Sequence, residues 1–272
     1  MSGADSSAAS AADSTGEASN KAGNKASEII RALHAREWGK RRRIYLLRHG
    51  AVSYYDPAGQ PVPSSDAVPL NELGRGQSTA AGISLKDVKF DRLIVSGLPR
   101  TVETAQRVLA ENRHGTPRTD TIGALREIKG GGHDDIKDED AEAVFTQVFG
   151  RPNNFGVRFL GGELLGDFTD RVHAAFAQVL ADASWQELLM VLHGGTNRAI
   201  LSYCLSGGQR QFLGALHQTP ACINLVDVGD AAKHDYVVRA INLAPPDLLQ
   251  TATRKTTLEE LFEKYLDYKL KK

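Results

Sequence analysis

Two cysteines in 272 residues are too few for a disulfide framework. Cys204 and Cys222 form no Cys-x-x-Cys pair, so they read as reduced, buried thiols of a reducing compartment. Neither lies in a motif that would make it a nucleophile. Net charge is missing too. Lys and Arg number 33 and so do Asp and Glu, which leaves no overall field to draw the chain to nucleic acid or an acidic membrane. An anion would have to be caught by local clustering. No apolar run has the length of a membrane helix. Residues 1–25 lack the hydrophobic stretch of a secretory signal. They carry Asp5, Asp13 and Glu17 with no arginine, unlike a mitochondrial presequence. The expected location is the cytoplasm.

Apolar residues make up 41% of the chain, enough for a sizeable core. Residues 1–26, mostly Ser, Ala, Gly, Asp and Asn, read as a disordered tail. Residues 27–42 read as a short amphipathic helix and a basic linker, Lys40-Arg41-Arg42-Arg43, solvated in front of a strand. Over residues 43–245 buried strands alternate with helices. Strands are expected at 43–48, 91–96, 187–192, 222–228 and 236–242. Helices are expected at 71–84, 99–112, 136–148, 161–183 and 195–205, and 116–125 reads as an extended segment. That alternation implies an α/β domain, a three-layer α/β/α sandwich around a largely parallel central sheet. Residues 246–272 form a C-terminal extension. Its "TTLEELFEKYLDY" reads as a helix, with Thr257 and Glu260 at capping-box spacing. Leu258, Leu261, Phe262, Tyr265 and Leu266 give it one apolar stripe, expected to dock on its own domain.

Chemistry concentrates at the strand ends. "YLLRHG" supplies Arg48 and His49, "LIVSGLPRTVETA" supplies Arg100, "IGALREIKGGG" supplies Glu127 and "LLMVLHGGTNRAIL" supplies His193. Ligands of open parallel sheets bind beyond the carboxyl ends of the strands. If these strands are parallel, Arg48, His49, Arg100 and His193 meet in one cationic pocket. Such a pocket suits phosphate, because the arginine fork matches its oxygens. The corner Gly194-Gly195-Thr196 opens a helix whose first N–H groups also favour an anion. No His-x-His, His-x-x-x-His or Cys-x-x-Cys spacing suggests a metal. A histidine attacking phosphorus must be neutral, and the surrounding cations favour that state. Glu127 is the carboxyl group best placed to supply the leaving group's proton. Taken singly, each of these side chains could be structural. Together, two histidines and two arginines at strand ends are hard to explain by packing alone.

These residues resemble the histidine phosphatase superfamily, the phosphoglycerate-mutase-like fold. The resemblance rests on Leu47-Arg48-His49-Gly50, Leu70-Asn71-Glu72-Leu73-Gly74-Arg75-Gly76-Gln77 and Ser96-Gly97-Leu98-Pro99-Arg100. Leu125-Arg126-Glu127, Gly161-Gly162-Glu163 and His193-Gly194-Gly195 continue it, in the family's order. It implies that His49 becomes phosphohistidine and that Arg48, Arg100 and His193 bind the phosphoryl group, beside the Gly194 corner. It implies Glu127 as acid and then base, with no metal and no organic cofactor.

The chain departs from the family in two places. Ala51, Val52 and Ser53 follow the first motif where an acidic residue and a hydroxyl are common, and Tyr54-Tyr55 stands where an asparagine would touch phosphate. Ser53 and Tyr55 are therefore candidate substrate contacts, Tyr55 equally a packing residue of a long loop. After Glu127 comes Ile128-Lys129-Gly130-Gly131-Gly132-His133. Lys129 could favour a second anionic group, and His133 reads as a surface residue. Asn197 is a further candidate contact. His193-Gly194-Gly195 and the short acid segment resemble the phosphatase branch. Hydrolysis of a phosphomonoester, on a phosphorylated small molecule or a phosphoprotein, is the first expectation. A mutase-type phosphotransfer and a non-catalytic phosphate-binding module are the alternatives. The sequence does not fix the oligomeric state.

Overall fold

The computed structural model describes residues 25, 27, 28, 31, 41–132, 136–244 and 255–271. Almost all of the 1–26 tail and of the 27–40 stretch, and His133, lie outside the described residues. The chain divides after Lys40, and the description below concerns Arg41 onward.

Six strands are present: β1 (Arg42–Arg48), β2 (Arg92–Val95), β3 (Arg118–Thr121), β4 (Glu187–Leu192), β5 (Ile223–Val228) and β6 (Tyr236–Leu243). They form one sheet in the order β3-β2-β4-β1-β5-β6. β1 and β2 both run parallel to β4, and β3 runs parallel to β2. β5 is antiparallel to β1, and β6 to β5. The sheet is thus mixed, with a parallel block of four strands. The extended segment expected at 116–125 supplies its edge strand β3.

The helices are α1 (Glu72–Leu85), α2 (Pro99–Ala110), α3 (Ala141–Thr146), α4 (Leu165–Ala181), α5 (Gly194–Leu205) and α6 (Thr257–Leu270). Strand side chains alternate between faces, and each face has its own helices. Ile44, Leu46, Leu188, Met190 and Leu192 pack with Val172, Phe176 and Ile200 of α4 and α5. Tyr45, Leu47, Leu189 and Val191 pack with Ala81, Leu85, Ala105 and Val108 of α1 and α2. This two-sided burial explains why β4 reads as an unbroken apolar run.

Several expectations shift. The described part of the basic run, Arg41 to Arg43, is not a solvated linker. Arg41 pairs with Asp235 at 2.8 Å and Arg43 with Asp227 at 2.6 Å, while Arg42 lies 4.0 Å over the Trp185 ring. α4 begins at Leu165, not 161, because Leu160 and Gly161 have φ of 48° and 72°, which a right-handed helix cannot include. The helix expected over 136–148 is a 3-10 turn at Asp138–Asp140 followed by the shorter α3. The capping box of α6 is formed by Thr256 and Glu259, one residue earlier than expected. Leu266 is exposed, and Tyr268 takes its place in the buried stripe. That stripe docks within the same unit, where Phe145 of α3 meets Phe262 and Tyr265 at ring distances of 5.5 and 5.2 Å.

Candidate active site

β1 and β4 are neighbours, and Arg48 is in register with Leu192. The next residue on each strand is a histidine. The His49 N–H donates to the Leu192 carbonyl at 2.9 Å, which carries the ladder one step past the strand ends. The two imidazoles therefore stand side by side, with ring centroids 5.2 Å apart. β2 is the other neighbour of β4, and it leads through Ser96 into Pro99-Arg100 at the start of α2. Three parallel strands thus deliver Arg48, His49, Arg100 and His193 to one end of the sheet. All four are buried, with 9%, 3%, 2% and 0% of their surface exposed.

The hydrogen bonds assign the atoms. His49 Nδ1 lies 2.7 Å from the Gly50 carbonyl. A carbonyl only accepts, so Nδ1 carries the proton and the Nε2 lone pair is free. His193 Nε2 lies 2.8 Å from the Ser96 hydroxyl. Arg48 Nη1 donates to the Gln218 carbonyl and to Thr257 Oγ1, and Arg100 Nη1 donates to the Ser65 carbonyl at 2.9 Å. Three buried nitrogens close to His49 have no partner at all: Arg48 Nε, Arg100 Nε and His193 Nδ1. Buried polar atoms without a partner are uncommon, and these three gather at the same end of the sheet, where Arg48 Nε and Arg100 Nε form the donors of an anion cradle.

Glu127 completes the group. Its Oε2 accepts from the Gly195 N–H at 2.9 Å and its Oε1 from Ile128 at 3.0 Å. The loop that carries it is clamped by Arg171 of α4, which the sequence reading did not single out. Arg171 donates to the carbonyls of Ala124 and Arg126, both at 2.9 Å, and of Glu127 at 3.1 Å. It also pairs with Glu163 at 2.7 Å, which gives the Gly161-Gly162-Glu163 motif its structural part. Ser96, Ser65, Gln218 and Thr257 were missed as well. Ser96 lies within a quoted motif, and in the sequence Thr257 reads only as a helix cap.

The secondary candidates scatter. Gly194 opens α5 beside the arginines; a Cβ there would stand 3.4 Å from Arg48 Nε. Ser53 is exposed and bonded to the Asn71 amide at 3.2 Å. Tyr55 is buried, and that burial, with Tyr265 and Tyr268 nearby, pushes its phenol up to about 12. Asn197 is fully buried, with its side chain against Gln218. Lys129 is exposed, and its backbone N–H donates to Glu163. Tyr55 and Asn197 are thus as buried as the four clamp residues, while Ser53 and Lys129 are exposed. Among the described residues no three His, Cys, Asp or Glu side chains are grouped to hold a metal ion. No helix there is long and apolar enough to cross a membrane.

Burial holds His49 well below the usual imidazole range, and the cations Arg100 and Arg48 push the same way. His193 is lowered likewise, first by burial and then by His49 and the arginines. The folded state therefore binds fewer protons than the unfolded one. Stability from these groups is intact above the unfolded imidazole value of roughly 6.5 and is lost as pH falls below it. Ring ¹⁵N shifts should show both imidazoles still neutral at about pH 6, below that ordinary value. Either ring protonated there would mean the pocket is wetter than described.

The family model of the histidine phosphatase superfamily (branch 1) matches residues 44–240. The chain belongs to that superfamily. The adenosylcobalamin/alpha-ribazole phosphatase of Salmonella typhimurium is 31% identical over 170 residues, which span 60% of this chain and 80% of that protein. Fructose-2,6-bisphosphatase TIGAR B of Danio rerio is 32% identical over 90 residues, and this stretch spans 32% of the chain and only 34% of that protein. The fold is also that of a phosphoglycerate mutase from Bacillus anthracis, with a TM-score of 0.56 at 19% identity, over 75% of this chain and 93% of the other. The chain thus shares sequence with phosphatases and its α/β fold with a mutase.

Proposed function

We propose that this superfamily member is a phosphomonoester hydrolase that works through phosphohistidine on His49. The observation that carries the reading is the free His49 Nε2 at the strand end that also gathers unpartnered Arg48 Nε, Arg100 Nε and His193 Nδ1. A bound phosphoryl group gives those donors their acceptors and spreads its own charge over them. With the Ser96 hydroxyl donating to Nε2, His193 presents an Nδ1–H to the phosphate.

In the first step the Nε2 lone pair attacks phosphorus and the bond to the leaving oxygen breaks. The Glu127 carboxyl group, protonated in this step, gives its proton to the departing alkoxide. In the second step the Glu127 carboxylate takes a proton from water, whose oxygen attacks phosphorus. The P–N bond breaks, inorganic phosphate leaves and His49 is neutral again. No metal or organic cofactor enters this scheme. The burial of Arg48, His49, Arg100 and His193 suits a small phosphorylated metabolite better than a phosphoprotein. The buried free thiols fit a cytoplasmic setting.

The test is phosphate release from p-nitrophenyl phosphate and a panel of phosphorylated metabolites in EDTA, with acid quenching to trap an acid-labile phosphoenzyme. Release with the label mapped to His49 supports the reading. Isomerisation of 3-phosphoglycerate without release would move the chain to the mutases. Phosphate binding with neither reaction would make it a binding module.

A further inference from the structure

α6 is the clearest helix in the sequence, and the chemistry above makes no use of it. It lies beyond the residues that the family model matches, 44–240. Yet its first residue touches the phosphate clamp. Thr257 Oγ1 accepts from Arg48 Nη1 at 3.2 Å, and the Gln218 carbonyl takes the same nitrogen at 2.5 Å. Nη1 is thereby tethered twice to protein, while Nε has no partner. A guanidinium grips phosphate best along one edge, through two parallel N–H bonds. With Nη1 occupied, the edge left for an anion is Nε with Nη2.

Packing holds this tether in place. The capping box at Thr256 and Glu259 fixes the first turn of α6. Further along, Phe262 and Tyr265 pack against Phe145 with tilted rings, and Tyr265 and Tyr268 are buried. The same two tyrosines neighbour Tyr55 of the 51–70 loop. Lys271 Nζ lies 3.2 Å from where a Cβ on Gly59 of that loop would sit. The loop in turn holds Arg100 through the Ser65 carbonyl. Each clamp arginine is therefore held by one covering segment, and the two segments pack on each other.

The geometry points to Thr257 as a positioning residue of the phosphate site, with α6 as a wall of the pocket. Its hydroxyl fixes which edge of Arg48 faces the anion. The inference rests on the proposed function only in taking phosphate as the ligand of the pocket.

The experiment uses the full chain and inorganic phosphate, whose affinity is read by calorimetry and needs no turnover. Thr257→Val keeps the shape and removes the acceptor. It should weaken phosphate binding, and raise KM for p-nitrophenyl phosphate, by roughly threefold to tenfold, the range one hydrogen bond spans. kcat and the melting temperature should hold, and Thr257→Ser should restore the wild-type affinity. Unchanged phosphate affinity in Thr257→Val overturns the inference, and so does failure of Thr257→Ser to restore it. A fall in melting temperature with affinity intact overturns it too, by making the contact a brace of the helix alone. If the wild type binds phosphate but hydrolyses nothing, a weakened Thr257→Val keeps this inference while the hydrolase reading falls.

Discussion

His49→Ala should lower phosphate release by on the order of 10⁴-fold or more, as loss of a nucleophile does when no other group can replace it. His49 Nε2 is the free lone pair facing the cradle. The neighbouring imidazole of His193 has its Nε2 engaged with Ser96 at 2.8 Å. The fold should survive, because the backbone bonds of His49 are independent of its ring. Its N–H donates to Leu192 at 2.9 Å and its carbonyl accepts from Ala221 at 3.1 Å. Phosphate should still bind to the intact arginines. The measurement is steady-state phosphate release alongside phosphate affinity and circular dichroism. Substantial turnover in a folded His49→Ala would mean that the phosphoryl group goes directly to water.

Gly195→Ala should lower kcat by about 100-fold for alkyl phosphates, the loss expected when a reacting group is misplaced by about an ångström. A Cβ at this position would stand 2.4 Å from Glu127 Oε1. No side chain tolerates that approach, so the carboxyl group must swing away and give up the Gly195 N–H. Because the obstacle is the tip of a side chain, the backbone of α5 can stay where it is. The arginines are untouched, so KM should change little. The dependence on the leaving group separates this from a general disturbance. p-Nitrophenolate departs without a proton and should suffer least, whereas an alkoxide needs the Glu127 proton. An equal loss for both classes would assign Glu127 another task.

The sequence states the corners of this site with little ambiguity. "YLLRHG" and "VLHGG" end short apolar runs with glycine beside them, the length and flanks of strands buried on both faces. It is much less informative about contacts made by distant segments. Nothing near Thr257 marks it as a partner of Arg48, and nothing near Ser65 marks its carbonyl as a partner of Arg100. Those pairings exist only once the sheet has brought the ends together. The capping box slipped by one residue because Thr256-Thr257 and Glu259-Glu260 are doublets that fit the spacing twice. Asn197 carries the polarity of a ligand contact, and only the fold brings Gln218 within hydrogen-bond reach of it. Arg42 and Arg43 look like a surface charge run until Trp185 and Asp227 are found beneath them.

The register of β1 against β4 has a further consequence, for folding. Arg48 stands opposite Leu192, so the two histidines follow as a pair. Strand side chains alternate, and a slip of one residue would send every one of them to the opposite face. It would turn Tyr45 and Leu47 toward α4 and α5 and part His49 from His193. A compact, slipped species could keep most of its helix and apolar burial yet have no cradle. Pairing strands so far apart in sequence is also a slow step of folding. In a refolding experiment, recovered phosphate affinity would therefore report native register, which far-ultraviolet circular dichroism cannot distinguish from its near misses.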